Sequence, residues 1–245
     1  MLGNKYIQEV LQIIELAWNE QQEALSALSD KIFEAVCDKH SIYVFGCGHA
    51  GMLAEEAFYR AGGLAVMNPV FYPGFMTNTR PITLTSDLEK MSGVAKMILS
   101  ELPLKKDDLL IIHSVSGRNH VPVEMALYAK EVGAYTACIT NIAYSSAVSS
   151  RQESGKRLFE LCDIVIDNKG VYGDAAIELE GFPQKIGPTS TVSGAALLNA
   201  VIIEAIEKTA AAGIDPPVFM SGNTDTGEAY NRRIIQEYSE QIHYC

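Results

Sequence analysis

The sequence predicts a doubly wound α/β fold built on a parallel sheet, and three observations predict it. From residue 41 onward, short β-rich runs alternate with helical stretches. Runs such as Leu109-Leu110-Ile111-Ile112 are apolar on both faces, as parallel strands covered by helices on each side require. The turns that follow these runs concentrate Gly, Ser and Thr, where open parallel sheets bind ligands beyond the C-terminal ends of their strands.

Taken in order, residues 4–37 contain neither Gly nor Pro. Ile7, Leu11, Ile14, Trp18, Leu25, Leu28, Ile32 and Ala35 recur three or four apart, with Gln21 the only break. That spacing predicts one long helix with an apolar seam, facing either its own domain or another subunit. Strands are expected at 41–45, 64–67, 108–113, 135–140 and 164–166. Helices are expected at 50–61, 86–101, 122–132 with Gly133 at its end, 150–161, and from just after the Gly187–Ser193 cluster through Ile206. Pro216-Pro217 breaks the chain before a last helix carrying Tyr230, Ile234, Tyr238 and Ile242, which packs on its own domain or reaches a second subunit. With no repeat or linker, residues 1–245 read as one domain: an N-terminal helix (1–40), an α/β core (41–212) and a C-terminal arm (213–245).

Composition narrows the function. The 245 residues are 48% hydrophobic and 20% charged, with a formal net charge of −11. Such a balance argues against nonspecific nucleic-acid binding, which needs clustered Lys and Arg. Small anions remain open, because local backbone N–H groups act against the global sign. The longest apolar run, residues 192–203, is shorter than a bilayer span, and residues 1–5 hold no signal-peptide core. The five cysteines are scattered and form no CxxC pair, which fits a reduced, cytoplasmic chain.

The chemistry sits in three turns. The first is Gly46-Cys47-Gly48-His49-Ala50-Gly51, a tight turn that lets backbone approach an anion. A dinucleotide fingerprint would need an acid at the end of the next strand, where Met67-Asn68 stands, and no Gly-Lys-Ser/Thr marks a P-loop. The second is Ser114-Val115-Ser116-Gly117-Arg118-Asn119, just before a helix whose dipole favours negative charge. N-capping explains one such residue well and four of them poorly, so phosphate binding is the favoured reading. The third, Gly187-Pro188-Thr189-Ser190-Thr191-Val192-Ser193, either reaches the same pocket or caps an apolar helix.

These three segments resemble the SIS (sugar isomerase) domain family over about Ser41 to Lys208, most specifically in Ser114-Val115-Ser116-Gly117. The nearest likeness is to stand-alone, phosphoheptose-isomerase-like members. The resemblance implies a five-stranded parallel sheet between helices and a site often placed at a subunit interface. It implies phosphosugar contacts at Ser114, Ser116, Gly117, Arg118 and Asn119, at Thr189, Ser190 and Thr191, and at Gly46, Gly48 and His49. Phosphoheptose isomerases also carry metal ligands on the helix after the first turn and on the last helix. Here Met52, or Glu56 and Arg60, stand at the first place and no Gln or His lies between Ser193 and Val201, so no metal and no cofactor are expected. Ser116-Gly117-Arg118 also resembles the loop of N-acetylmuramic acid 6-phosphate etherases.

Isomerisation or elimination needs a base near a carbon-bound proton and an acid near an oxygen. The candidates are Glu56 on the helix leaving the first turn, Glu89 after the aromatic stretch, and His49 and His120 flanking the phosphate turns. His113 ends a buried strand and reads as structural. Two functions remain open: a phosphosugar isomerase, dimeric or tetrameric through the N-terminal helix and C-terminal arm, or a sensor that binds a phosphosugar without turnover. An etherase or lyase acting on an amino-sugar phosphate is a further alternative.

Overall fold

The structure, a computed structural model, describes all 245 residues. Five strands form one parallel sheet in the order β2-β1-β3-β4-β5: β1 (Ile42–Gly46), β2 (Met67–Pro69), β3 (Leu109–His113), β4 (Tyr135–Thr140) and β5 (Ile164–Asp167). The order reverses between β1 and β3, so the crevice of a doubly wound sheet opens beyond Gly46 and His113, which are paired in register.

The strands are apolar on both faces because each face meets a different core. Ile42, Val44, Leu109 and Ile111 pack with α2 (Gln22–Asp38), α3 (Met52–Ala57) and α8 (Ser190–Ala211). Tyr43, Phe45, Leu110 and Ile112 pack with α5 (Val94–Ser100) and α6 (His120–Val132) on the other side. Each such side chain stabilises the fold by roughly 1.5–3 kcal/mol relative to exposure.

The expected long N-terminal helix is two helices, α1 (Leu2–Glu20) and α2, broken at Gln21. The break lets the Gln21 side chain clamp the end of β5. Its Nε2 donates to the Asp167 carbonyl at 2.6 Å, and its Oε1 accepts from the Asp167 amide at 2.6 Å. The seam also divides there. Leu25, Leu28, Ile32 and Ala35 are buried, whereas Ile7 and Leu11 are 57% and 55% exposed and Val10, Ile13 and Ala17 turn inward in their place.

Three other elements differ from the sequence expectation. Residues 86–101 do not form one helix: α4 (Thr83–Leu88) and α5 are separated by Gly93 at φ 85°. Leu64 pairs with Val218 in an isolated antiparallel bridge, and the second strand begins only at Met67. No helix spans 150–161. A short helix, α7 (Ile142–Ser146), follows β4 directly because the Asn141 side chain accepts the Tyr144 amide at 2.7 Å. A small hairpin, β6 (Ala175–Ile177) with β7 (Ile186–Pro188), was not foreseen.

At 22 residues, α8 is long and apolar enough to cross a bilayer by length and composition, a length the sequence reading did not anticipate. Its inner face, including Leu197, Leu198, Val201 and Ala205, lies in the core against α2. The C-terminal arm closes on its own chain rather than reaching away. Ile234 of α9 (Gly227–Glu237) and Ile242 are buried in the first core, and Gln241 Nε2 donates to the Ala35 and His40 carbonyls at 3.0 and 2.9 Å.

Candidate functional site

In the loop from β3 to α6 most carbonyls are hydrogen-bonded to the rest of the chain and the amides of residues 115–119 are not. The Ser114 carbonyl accepts from Thr140 Oγ1 at 2.7 Å, and that of Val115 from the Asn141 amide at 3.0 Å. The Gly117 carbonyl accepts from the Leu158 amide and the Arg118 carbonyl from the Arg151 amide, both at 2.8 Å. The five consecutive amides of residues 115–119 donate to no backbone carbonyl. Gly117 sits at φ 55°, and a Cβ there would meet Leu158 Cβ at 3.0 Å and Ser145 Oγ at 3.3 Å. The result is a run of N–H groups without backbone acceptors leading into the N-terminus of a 13-residue helix, with Ser114 buried and Ser116 half-buried. Such a run suits a phosphoryl group.

The stretch 150–161 stays non-helical for the same reason. Its backbone donors at Arg151 and Leu158 are spent on this loop rather than on one another.

The first turn lies across the crevice. A Cβ on Gly46 would lie 2.5 Å from the Ala50 carbonyl carbon and oxygen, and Gly48 has φ 58°. His49 is exposed at the mouth of this turn. His113, buried at 1% exposure, ties the two segments together: its Nδ1 is 2.9 Å from the Ala50 carbonyl, while Nε2 has no partner. Burial pushes the His113 pKa down, against the Ala50 carbonyl and the Asp174 carboxylate, which push it up. It is a buried residue that joins β3 to the first turn.

Orphaned buried polar atoms concentrate at this edge of the sheet. Thr85 Oγ1, His113 Nε2, Arg118 Nε, His120 Nδ1, Ser145 Oγ and Asn168 Nδ2 are all buried without a hydrogen-bond partner. Such groups are costly in an interior unless something else satisfies them.

The four acid–base candidates separate in space. Glu89 is half-buried at the C-terminal edge, its carbonyl accepting the Val121 amide at 3.2 Å. Burial raises the Glu89 pKa above the ordinary carboxylate value, opposed by the Asn119 amide group and by the charges of Arg151 and Lys90. Burial also pushes the neighbouring Cys47 thiol well up, with the Glu89 charge adding to it. Glu56 is engaged elsewhere. Its Oε1 accepts from Arg60 and, at 3.0 Å, from Asn199 Nδ2 on α8. His120 Nδ1 lies 3.5 Å from Glu124, whose carboxylate is held by Ser92 Oγ and the Gly93 amide at 2.8 Å each. That pair faces α5 rather than the first turn.

Asn119, expected as a phosphate contact, has its side chain committed: Arg151 Nη1 donates to Asn119 Oδ1 at 2.6 Å, and its amide group faces Glu89. The larger correction concerns the third Ser/Thr segment. One carboxylate, Asp174, already fills it. Asp174 Oδ1 accepts the Thr189 and Ser190 amides at 3.0 and 2.7 Å and Thr189 Oγ1 at 3.2 Å, and Oδ2 accepts Ser190 Oγ at 2.7 Å. An internal anion thus supplies what a phosphate would, at the start of α8, and only Thr191 of the three lacks this tie. Asp174→Ala should cost about 2 kcal/mol by leaving these donors unpaired, read as a lower urea midpoint with an unchanged slope.

Sequence reasoning passed over Asp174 and Arg151. Asp174 carried one signal, its place after Gly173, and both residues adopt positive φ (67° and 77°) in a tight turn. Arg151 carried none, because it lies in a stretch read as a helix.

No three His, Cys, Asp or Glu side chains converge to metal-binding distance, and the residues standing where phosphoheptose isomerases carry ligands do not fit a zinc site. Residues 5–141 match the SIS domain family, a span that includes the first two turns and excludes the third. A UPF0309 protein from Shouchella clausii is 44% identical over 240 residues, 98% of both chains. Phosphoheptose isomerases from Neisseria gonorrhoeae and Francisella tularensis share the fold at TM-scores of 0.55 and 0.54. They are 15% and 12% identical; the matches cover 84% and 83% of this chain and 100% and 96% of theirs. With more than half of the chain matching the family and a full-length relative alike over its whole course, the chain belongs to the SIS domain family, within its UPF0309 group.

Proposed function

We propose that this protein binds a sugar phosphate and isomerises it between aldose and ketose forms. The observation that carries the reading is the β3–α6 loop. Most of its carbonyls are tied back, five amides lack a backbone acceptor, and a half-buried carboxylate with a raised pKa stands beside it. The phosphoryl group sits on the amides of residues 115–119 and the hydroxyls of Ser114 and Ser116. Gly46, Gly48 and His49 border the sugar. Glu89 takes the proton from C2 while the carbonyl oxygen at C1 gains one, with His49 at the mouth as the acid. The resulting enediol then collapses by losing its C2 hydroxyl proton and accepting a proton at C1.

A thermal-shift panel of sugar phosphates tests binding, since a ligand at 100 times its Kd adds about 2.7 kcal/mol. Ser116→Asp places a negative charge in the cradle and should weaken any hit by about 100-fold or more, a change of roughly 2.7 kcal/mol, with little change in the melting temperature of the free protein. If no phosphosugar shifts the melt, the reading fails. Deuterium incorporation at C2 of a hit then tests turnover, and binding without incorporation marks a sensor instead of an enzyme.

The exposed Ile7 and Leu11 stripe on α1 supports a second copy of this chain as its cover, giving a dimer or tetramer through the N-terminal helix in the cytoplasm. Sedimentation of wild type against Leu11→Glu checks it, and a monomer in both excludes it.

A further inference from the structure

Asn119 occupies the N-cap position of α6, yet its side chain makes no capping hydrogen bond. An asparagine there ordinarily accepts the second or third amide of the helix on its side-chain oxygen. Here neither amide is available. Val121, the second residue, gives its amide to the Glu89 carbonyl at 3.2 Å, and the third is Pro122, which has no N–H. The Asn119 side chain is thereby released from capping, and the same backbone bond ties Glu89 to the start of α6.

Two partners take up the released side chain. Arg151 Nη1 donates to Asn119 Oδ1 at 2.6 Å, and the Asn119 amide group faces the Glu89 carboxylate. A guanidinium carries donors only, so its partner on Asn119 must be the oxygen, and the NH2 end is left for Glu89. Arg151 is itself held against the loop, because its backbone amide donates to the Arg118 carbonyl at 2.8 Å.

We infer that Arg151 is a positioning residue for the Glu89 base: by engaging Asn119 Oδ1 it turns the donor end of that amide toward the carboxylate. This rests on the isomerase reading above, in which Glu89 removes the C2 proton, and adds how the carboxylate is presented to it. A donor facing a carboxylate favours its charged form, as does a nearby cation. Both oppose the burial that raises the Glu89 pKa. Without Arg151 the amide is free to turn its oxygen to Glu89, where it accepts from the protonated acid and favours that form. Loss of Arg151 therefore raises the pH at which Glu89 ionises. The other groups acting on this carboxylate stay as they are: Lys90, 3.9 Å from Asp87, and the Cys47 thiol of the first turn, which burial keeps protonated.

Carbon-13 NMR titration of the side-chain carboxyls of the full chain reads this without any substrate, with Glu89→Gln identifying the Glu89 signal. Arg151→Gln should move the Glu89 titration to higher pH. Arg151→Lys keeps a cation with donors only and should return most of that shift. Asn119→Ala should move the titration in the same direction, and adding Arg151→Gln to it should give less than about half of the effect seen alone. Deuterium exchange at C2 of an equimolar mixture of glucose 6-phosphate, ribose 5-phosphate and arabinose 5-phosphate supplies the rate. Arg151→Gln should lose about tenfold or more on the acid limb, and the loss should shrink as pH rises. An unmoved Glu89 titration in Arg151→Gln, with exchange unchanged or lowered equally at every pH, overturns the positioning role and leaves the isomerase reading standing. A full effect of Arg151→Gln in the Asn119→Ala background overturns the route through Asn119. A shifted titration in a protein that exchanges none of the three sugars supports the Arg151–Asn119–Glu89 arrangement and counts against the isomerase reading alone.

Discussion

Glu89→Gln is expected to slow C2 deuterium exchange by about 10²–10⁴-fold while the sugar phosphate still binds, because the base is lost and the amide cradle is not. The side chain keeps its shape and its place beside Asn119, so binding serves as the control for folding. The pH dependence follows from the same burial. Glu89 must be ionised to act, and burial raises its pKa, so the acid limb of the rate should lie above the ordinary carboxylate range. The variant should also melt higher than wild type at neutral pH. A carboxyl whose folded pKa is raised contributes stability that is full below its unfolded pKa and is lost as pH climbs through the folded value. Gln removes that loss, and the difference between the two proteins should shrink toward acid pH. Exchange that persists in Glu89→Gln at the wild-type rate would remove Glu89 as the base.

Gly46→Ala should be the most damaging small substitution in the site. The added methyl would stand 2.5 Å from the carbonyl carbon and oxygen of Ala50 and 2.7 Å from the Gly51 amide nitrogen. These are backbone atoms of a tight turn, so no side chain can swing aside. Moving them also disturbs the Ala50 carbonyl that His113 Nδ1 contacts. A cost of about 3 kcal/mol is expected from overpacking, or about 6–12 °C in melting temperature for a chain of this size. Gly222→Ala, with no atom within 4 Å of the new methyl, should stay within about 0.5 kcal/mol. Equal melting temperatures for the two variants would show that the turn tolerates a side chain.

Where the chain obeys a local rule, the sequence is a sufficient guide. The two-faced apolarity of residues 109–112 reflects two cores, and Gly133 ends α6 in the left-handed conformation at φ 83°. The β3–α6 loop is legible because Ser, Gly and Asn cluster between a buried strand and an amphipathic helix. The 150–161 stretch has polar residues that permit a helix, while the Arg151 and Leu158 amides are drawn to the carbonyls of Arg118 and Gly117, far earlier in the chain. The N-terminal seam carried the right spacing and the wrong continuity. Gln21, its one irregular position, is where the chain bends to hold β5.

By itself the sequence determined the fold class, the family and the position of the Ser/Gly-rich β3–α6 loop, since each rests on periodicity or on residues adjacent in the chain. Only the tertiary structure decided which hydroxyl cluster is open and which is filled by Asp174. It alone separated Glu89, half-buried with a raised pKa, from Glu56, spent on Arg60 and Asn199, and brought Arg151 to Arg118. The physical reason is the same in each case. Hydrogen-bond satisfaction and desolvation depend on groups met through space, and loops that bring such groups together carry no periodic signal.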